Sequence, residues 1–190
     1  QYLGAVGARY RMNTQFPYWD PVQGQLIDVA AEYGNALMGS QLDYTRVVAQ
    51  YGFVRKAPES WGILQNSRFA FRAYGGWSSP DYASLFRLGG GMRLRALDLT
   101  TLEGSSVWIM TAEWRFPLWR DINRDVLDHT ISFRHLYGAA FYDVGQSYLA
   151  GQWSPVVHGP GFGLRWDVLL FSFLERAALR CDIAQPIGVK

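Results

Sequence analysis

The chain has 190 residues, of which 49% are hydrophobic and 16% aromatic, and only 18% are charged, below the roughly 25% of an ordinary soluble domain. Its net charge of +2 is too small to argue for a nucleic-acid partner, and the single cysteine, Cys181, excludes an intramolecular disulfide and a cysteine-based metal cluster. The longest uncharged apolar stretch, Val168 to Leu174, is interrupted by Ser172 and falls far short of the roughly 20 residues that a membrane helix needs. A membrane-spanning form of this chain therefore has to use strands, closed into a barrel so that every backbone N–H and C=O is paired within protein.

The cations are 16 arginines against Lys56 and Lys190. That bias suits forked pairing in buried places, and it also follows from a GC-rich genome. No linker-like shift in composition divides residues 1–190, which read as one domain. The chain starts at Gln1 rather than Met, so an upstream part removed by processing or truncation is expected.

Eight segments of bilayer-crossing length read as strands, at about 2–12, 25–38, 43–56, 62–75, 105–118, 135–149, 158–170 and 175–187. Three alternate with period two, which assigns one residue set to each face. In the fifth, Trp108, Met110, Ala112, Trp114 and Phe116 oppose Thr111, Glu113 and Arg115. In the seventh, Phe162, Leu164, Trp166 and Val168 oppose Gly161, Gly163, Arg165 and Asp167. The eighth sets Ala177, Leu179, Cys181 and Ile183 against Arg176, Arg180 and Asp182.

Alternation alone also fits a half-buried soluble sheet. Tyr10, Tyr18, Trp19, Tyr51, Trp77, Trp119 and Trp153 near segment ends favour the aromatic girdles of a membrane barrel. Arg165, Asp167, Arg180 and Asp182, together with glycines, then face the lumen. The expected fold is an all-β, antiparallel transmembrane barrel.

Connections fall near 13–24, 76–104, 119–134 and 150–157, with tighter links at 39–42, 57–61 and 171–174. The 76–104 connection stands out, because a loop longer than about 12–15 residues without regular structure of its own is usually functional. Gly89, Gly90 and Gly91 within it do not make a phosphate cradle, since no helical pattern and no Lys-Ser/Thr follow. His129, His135 and His158 lack metal-ligand spacing, and no Gly-x-Ser-x-Gly elbow occurs. Neither a cofactor nor a catalytic step is expected.

Phe86-Arg87-Leu88-Gly89-Gly90 followed by Leu94-Arg95-Ala96-Leu97 resembles the long sixth extracellular loop of the BamA/TamA-type outer-membrane assembly and translocation superfamily. The segment ending Ala112-Glu113-Trp114-Arg115-Phe116-Pro117-Leu118 resembles the family strand that ends in an acidic residue and Phe-Pro. Gly138-Ala139-Ala140-Phe141-Tyr142-Asp143-Val144-Gly145 is similar to its Phe-x-Asp-x-Gly strand. Gly161-Phe162-Gly163-Leu164-Arg165 and Leu179-Arg180-Cys181-Asp182-Ile183-Ala184-Gln185-Pro186 resemble the two strands that follow. These five elements keep the family order over residues 86–190, whereas 1–85 contribute only compatible strands. The chain departs from the pattern at the loop tip, where Ala96 and Leu97 stand in place of the usual Gly and aromatic, and in lacking the family's terminal strand.

The resemblance implies the C-terminal half of a barrel of about sixteen strands in the bacterial outer membrane, which inserts outer-membrane proteins or translocates a passenger. Its implied partners are outer-membrane lipid, client or passenger proteins, and periplasmic repeat domains or accessory subunits. It further implies that 86–98 fold inward, with Gly89 to Gly91 at the reversal and Arg95 against Glu113 and Asp143. The alternatives are a membrane anchor or export pore for an upstream enzyme, a stand-alone eight-stranded barrel closed between 2–12 and 175–187, and a soluble sandwich or lipid-binding protein.

Overall fold

The computed structural model describes residues 4–18, 20–88, 94–97, 102–122, 124–126, 130–170 and 175–188. Gly89, Gly90 and Gly91, expected at the loop reversal, lie outside the described residues, as does Trp19.

Among the described residues twelve strands follow in chain order: β1 Val6–Asn13, β2 Gly24–Gly34, β3 Tyr44–Lys56, β4 Arg68–Ser79, β5 Phe86–Leu88, β6 Leu102–Gly104, β7 Ser106–Trp119, β8 Arg124–Val126, β9 Ile131–Leu149, β10 Gln152–Trp153, β11 Val157–Leu170 and β12 Glu175–Ala184. The eight longest form one antiparallel meander, β1-β2-β3-β4-β7-β9-β11-β12, in which each strand pairs with its neighbours in sequence. The short strands β8 and β10 pair with β9, while β5 and β6 make a separate hairpin between β4 and β7. The sheet is not closed, and among the described residues no ladder joins β1 to β12.

Several boundaries differ from the sequence reading, each for a local reason. The fourth strand is expected at 62–75 and runs over Arg68–Ser79, because Glu59–Leu64 form 3-10 turns kinked at Gly62, and Gly62 and Asn66 both take positive φ (54° and 70°). Those left-handed residues break the extended path before Arg68. The second strand stops at Gly34, where Asn35 caps a 3-10 turn by accepting from the Met38 N–H (3.2 Å). The sixth begins at Ile131 rather than 135, so part of the expected 119–134 loop is strand. The long 76–104 connection also carries regular structure, the β5–β6 hairpin.

The period-two alternation sorts side chains as expected on most positions. Phe162, Leu164, Trp166, Leu179 and Ile183 are exposed on one face together with Met110, and Trp108 and Trp114 are half-buried there. Val168 departs from the pattern and is fully buried. Next to it the ladder jumps from His135 to Phe133, a bulge that breaks the alternation.

The opposite face is covered. Phe86, Leu94, Leu97, Val107, Ile109 and Val157 form a compact apolar cluster between the long connection and β7 and β11. Thr111, Glu113, Phe141, Asp143 and Arg165 are buried on the same face beside it. Among the described residues no helix is long and apolar enough to cross a membrane.

Candidate functional site

The buried charges of the covered face converge on Arg95. Its Nε donates to Asp143 Oδ2 and its Nη2 to Asp143 Oδ1, both at 2.8 Å, and its backbone N–H reaches the same carboxylate at 3.2 Å. Nη1 donates to Glu113 Oε2 at 2.6 Å and lies 3.5 Å from Asp182 Oδ2. The guanidinium plane rests 3.3 Å from the centre of the Phe141 ring. Forked donation to one carboxylate and stacking on an aromatic ring are both things that a lysine ammonium cannot reproduce.

Local ladder geometry brings the two carboxylates within reach of one guanidinium. Asp143 on β9 faces Thr111 on β7, and Glu113 is two residues further along β7. The pair are therefore diagonal same-face neighbours, roughly 7–8 Å apart at Cα. Asp182 requires more. If the sheet were flat, β7 and β12, three places apart in the strand order, would be separated by about 14 Å, at about 4.8 Å per strand. A single nitrogen of Arg95 lies within 3.5 Å of carboxylates on both, so the covered face is concave.

Two glycines clear the ground for the incoming tip. Gly159 is opposite Asp143, and a Cβ there would stand 2.9 Å from Ala96 Cβ. A Cβ at Gly161 would collide with the Phe141 ring on which the guanidinium rests. Leu94 and Leu97, flanking Arg95 and Ala96, enter the apolar cluster, so the tip is held by packing as well as by charge. Ala96 and Leu97, where the resembled pattern has Gly and an aromatic, are thus accommodated against Gly159 and the Phe86 cluster.

The network extends beyond the three residues singled out from sequence. Arg165 donates through Nη2 to both oxygens of Glu113 (3.2 Å each) and through Nη1 to Asp182. Arg115 Nε donates to Glu113 Oε1 at 2.7 Å, and its Nη1 to Asp20 Oδ1 at 2.8 Å. Asp20 also accepts from Arg68 at 2.5 Å, and Arg180 donates to Asp182 at 2.6 Å. Five arginines thus interlock with Asp20, Glu113, Asp143 and Asp182, and Asp143 has no solvent exposure at all. A carboxylate so deeply buried is tolerable only when paired and hydrogen-bonded.

Of the expected lumen-facing charges, Arg165, Arg180 and Asp182 belong to this network. Asp167 sits half-buried opposite His135, two residues beyond Arg165. Sequence reasoning did not find Asp20 or Arg68. Arg68 fell inside an expected strand with the wrong start, and Asp20 lies in the turn between β1 and β2, where no periodicity marks an inward side chain. Phe141 opens the Phe-x-Asp-x-Gly segment, and its place beneath Arg95 depends on a contact 46 residues away in sequence.

Glu113 and Asp143 are both engaged by arginines. What the arrangement can do is hold the tip of a long connection against the concave face of the sheet. No protein-family model and no curated protein matches the chain.

Proposed function

We propose that the chain is part of a larger transmembrane β-barrel of the bacterial outer membrane, one that assists insertion of outer-membrane proteins or translocation of a passenger. The observation that carries this reading is the buried Arg95 bridging Asp143 and Glu113 from a loop folded onto the concave face, the geometry that the resemblance implies. Two features agree with it. The convex face carries exposed Phe162, Leu164, Trp166, Leu179 and Ile183, which suits hydrocarbon and is unfavourable in water. Both outer strands leave one ladder edge unpaired among the described residues, as part of a larger cylinder requires and as an isolated soluble sheet avoids.

On this reading the chain catalyses no bond-making step. Its contribution is mechanical: a rigid concave wall, braced by the latched loop, next to strand edges whose free backbone groups can template an incoming strand. The test is client insertion into liposomes by the full-length protein, with and without Arg95→Ala. The expected result is faster client folding than in empty liposomes and a marked loss in the variant. Folding no faster than with lipid alone would overturn the assignment.

A further inference from the structure

The end of the sheet remote from the long connection, where β3 and β7 stop and β4 and β9 begin, holds paired arginines, Arg68 and Arg115, beside cations that no carboxylate meets among the described residues. Elsewhere Arg9, Arg46, Arg87, Arg95, Arg165 and Arg180 each have a carboxylate partner. At this end Arg55, Lys56, Arg120 and Arg124 have none among the described residues, and all four are exposed.

Two of them, Lys56 and Arg120, border one cleft of about 330 Å³. Its wall presents Lys56, Asn66, Arg68, Arg120, His135 and Tyr137. Most of these groups offer donors. Arg120 donates to the Asn66 amide oxygen at 3.1 Å, in the amide orientation that satisfies both, which fixes its guanidinium without neutralising it. His135 Nδ1 lies 3.2 Å from the Asp121 backbone N–H, which donates to it. Arg68 lies over the Tyr137 ring, 4.6 Å from its centre, and its charge is met by Asp20. The carboxylate on the wall, Asp121, is 79% exposed and 4.0 Å from His135.

We infer that this cleft, lined by Lys56 and Arg120, which no carboxylate meets among the described residues, and by His135 and Tyr137, docks an acidic segment of a polypeptide partner. The chemistry is that of carboxylate capture, with a planar fork and an ammonium beside neutral donors. The side of the sheet on which it opens distinguishes a polypeptide from a phospholipid. Lys56 is opposite Arg68, Arg68 opposite Arg115, and Tyr137 opposite Arg165, so these residues share the parity of the concave face. Phe69 and Trp114 pair on the other side. A lipid headgroup seated in the cleft would leave its acyl chains on the polar face. An acidic peptide has no such conflict, and its approach is favoured by the excess of Lys56 and Arg120 over Asp121, the one wall carboxylate among the described residues.

The inference goes beyond the assembly reading and is tested without reference to client insertion. Binding of a fluorescein-labelled hexaglutamate peptide to the full-length protein in neutral detergent would be followed by anisotropy at low ionic strength. The wild type should bind, and the Lys56→Gln/Arg120→Gln variant should bind about tenfold more weakly or worse. Arg55→Gln, at the same end but on the opposite face, should bind as the wild type does. The Lys56→Gln single variant, altering an exposed side chain without a partner, gives an intermediate loss and guards against misfolding of the double. Equal binding by the double variant, equal weakening by Arg55→Gln, or no peptide binding at all would overturn the proposal. So would monomeric dihexanoyl phosphatidylglycerol displacing the peptide at lower concentration than free glutamate, which would assign the cleft to a lipid headgroup.

Discussion

Arg95 holds Asp143 by both edges of its fork, Nε to Oδ2 and Nη2 to Oδ1, each at 2.8 Å, although 48 residues separate them in sequence. Removing the guanidinium would leave a carboxylate of zero exposure without its main partner. Arg95→Ala is therefore expected to destabilise the chain by about 3–5 kcal/mol, and Arg95→Lys to recover only a minor part of that, since the ammonium lacks the fork. Urea unfolding of the refolded protein checks both. Glu113→Ala combined with Arg95→Ala should cost clearly less than the two single losses added together, because both residues act in one network. Strict additivity would show that they do not.

Gly159 faces the tip of the loop across a gap that a methyl group would close, with a Cβ standing 2.9 Å from Ala96 Cβ. Gly159→Ala should displace the tip at a cost of about 1–3 kcal/mol, the range for overpacking a filled interior. Ala96→Gly should restore much of the loss in the double variant by making the same space from the other side. Protease susceptibility within 80–105 is the direct readout. A Gly159→Ala variant as resistant as wild type would show that the tip does not rest there.

The exposed apolar face gives opposite expectations in lipid and in water. Leu164→Arg, on a convex-face position 41% exposed, should destabilise by about 2–4 kcal/mol if that position lies near a bilayer midplane. A water-facing site would change by only about 0.5 kcal/mol in either direction. Unfolding measured in phospholipid bilayers separates the two.

Cys181 provides a probe that needs no mutation, as the single cysteine of the chain and an exposed residue on β12. Its neighbours Leu179 and Ile183 share its parity and are also exposed. In liposomes the thiol should react with a bilayer-soluble maleimide and resist a charged, membrane-impermeant one. Rapid labelling by the charged reagent in intact liposomes would place β12 outside the hydrocarbon.

The sequence by itself determined which residues share a face. Trp108 through Phe116, Phe162 through Trp166 and Leu179 through Ile183 sort by period two, and pleating makes that a local property, independent of what the strand pairs with. The separation failed where local backbone departs from ideal extension, at the Asp167/Val168 bulge and at Asn66 ahead of β4. The approach of Arg95 to Glu113 and Asp143 was legible only through resemblance to a known loop-and-strand pattern, not through spacing. Tertiary structure alone decided that Asp20 joins Arg68 to Arg115, that Arg165 spans from Glu113 to Asp182, and that Phe141 lies beneath the guanidinium. Those contacts depend on how sharply the sheet curls and on where its turns cross the concave face. Both are set by the summed twist and register of many strands, and no short stretch of sequence carries that information.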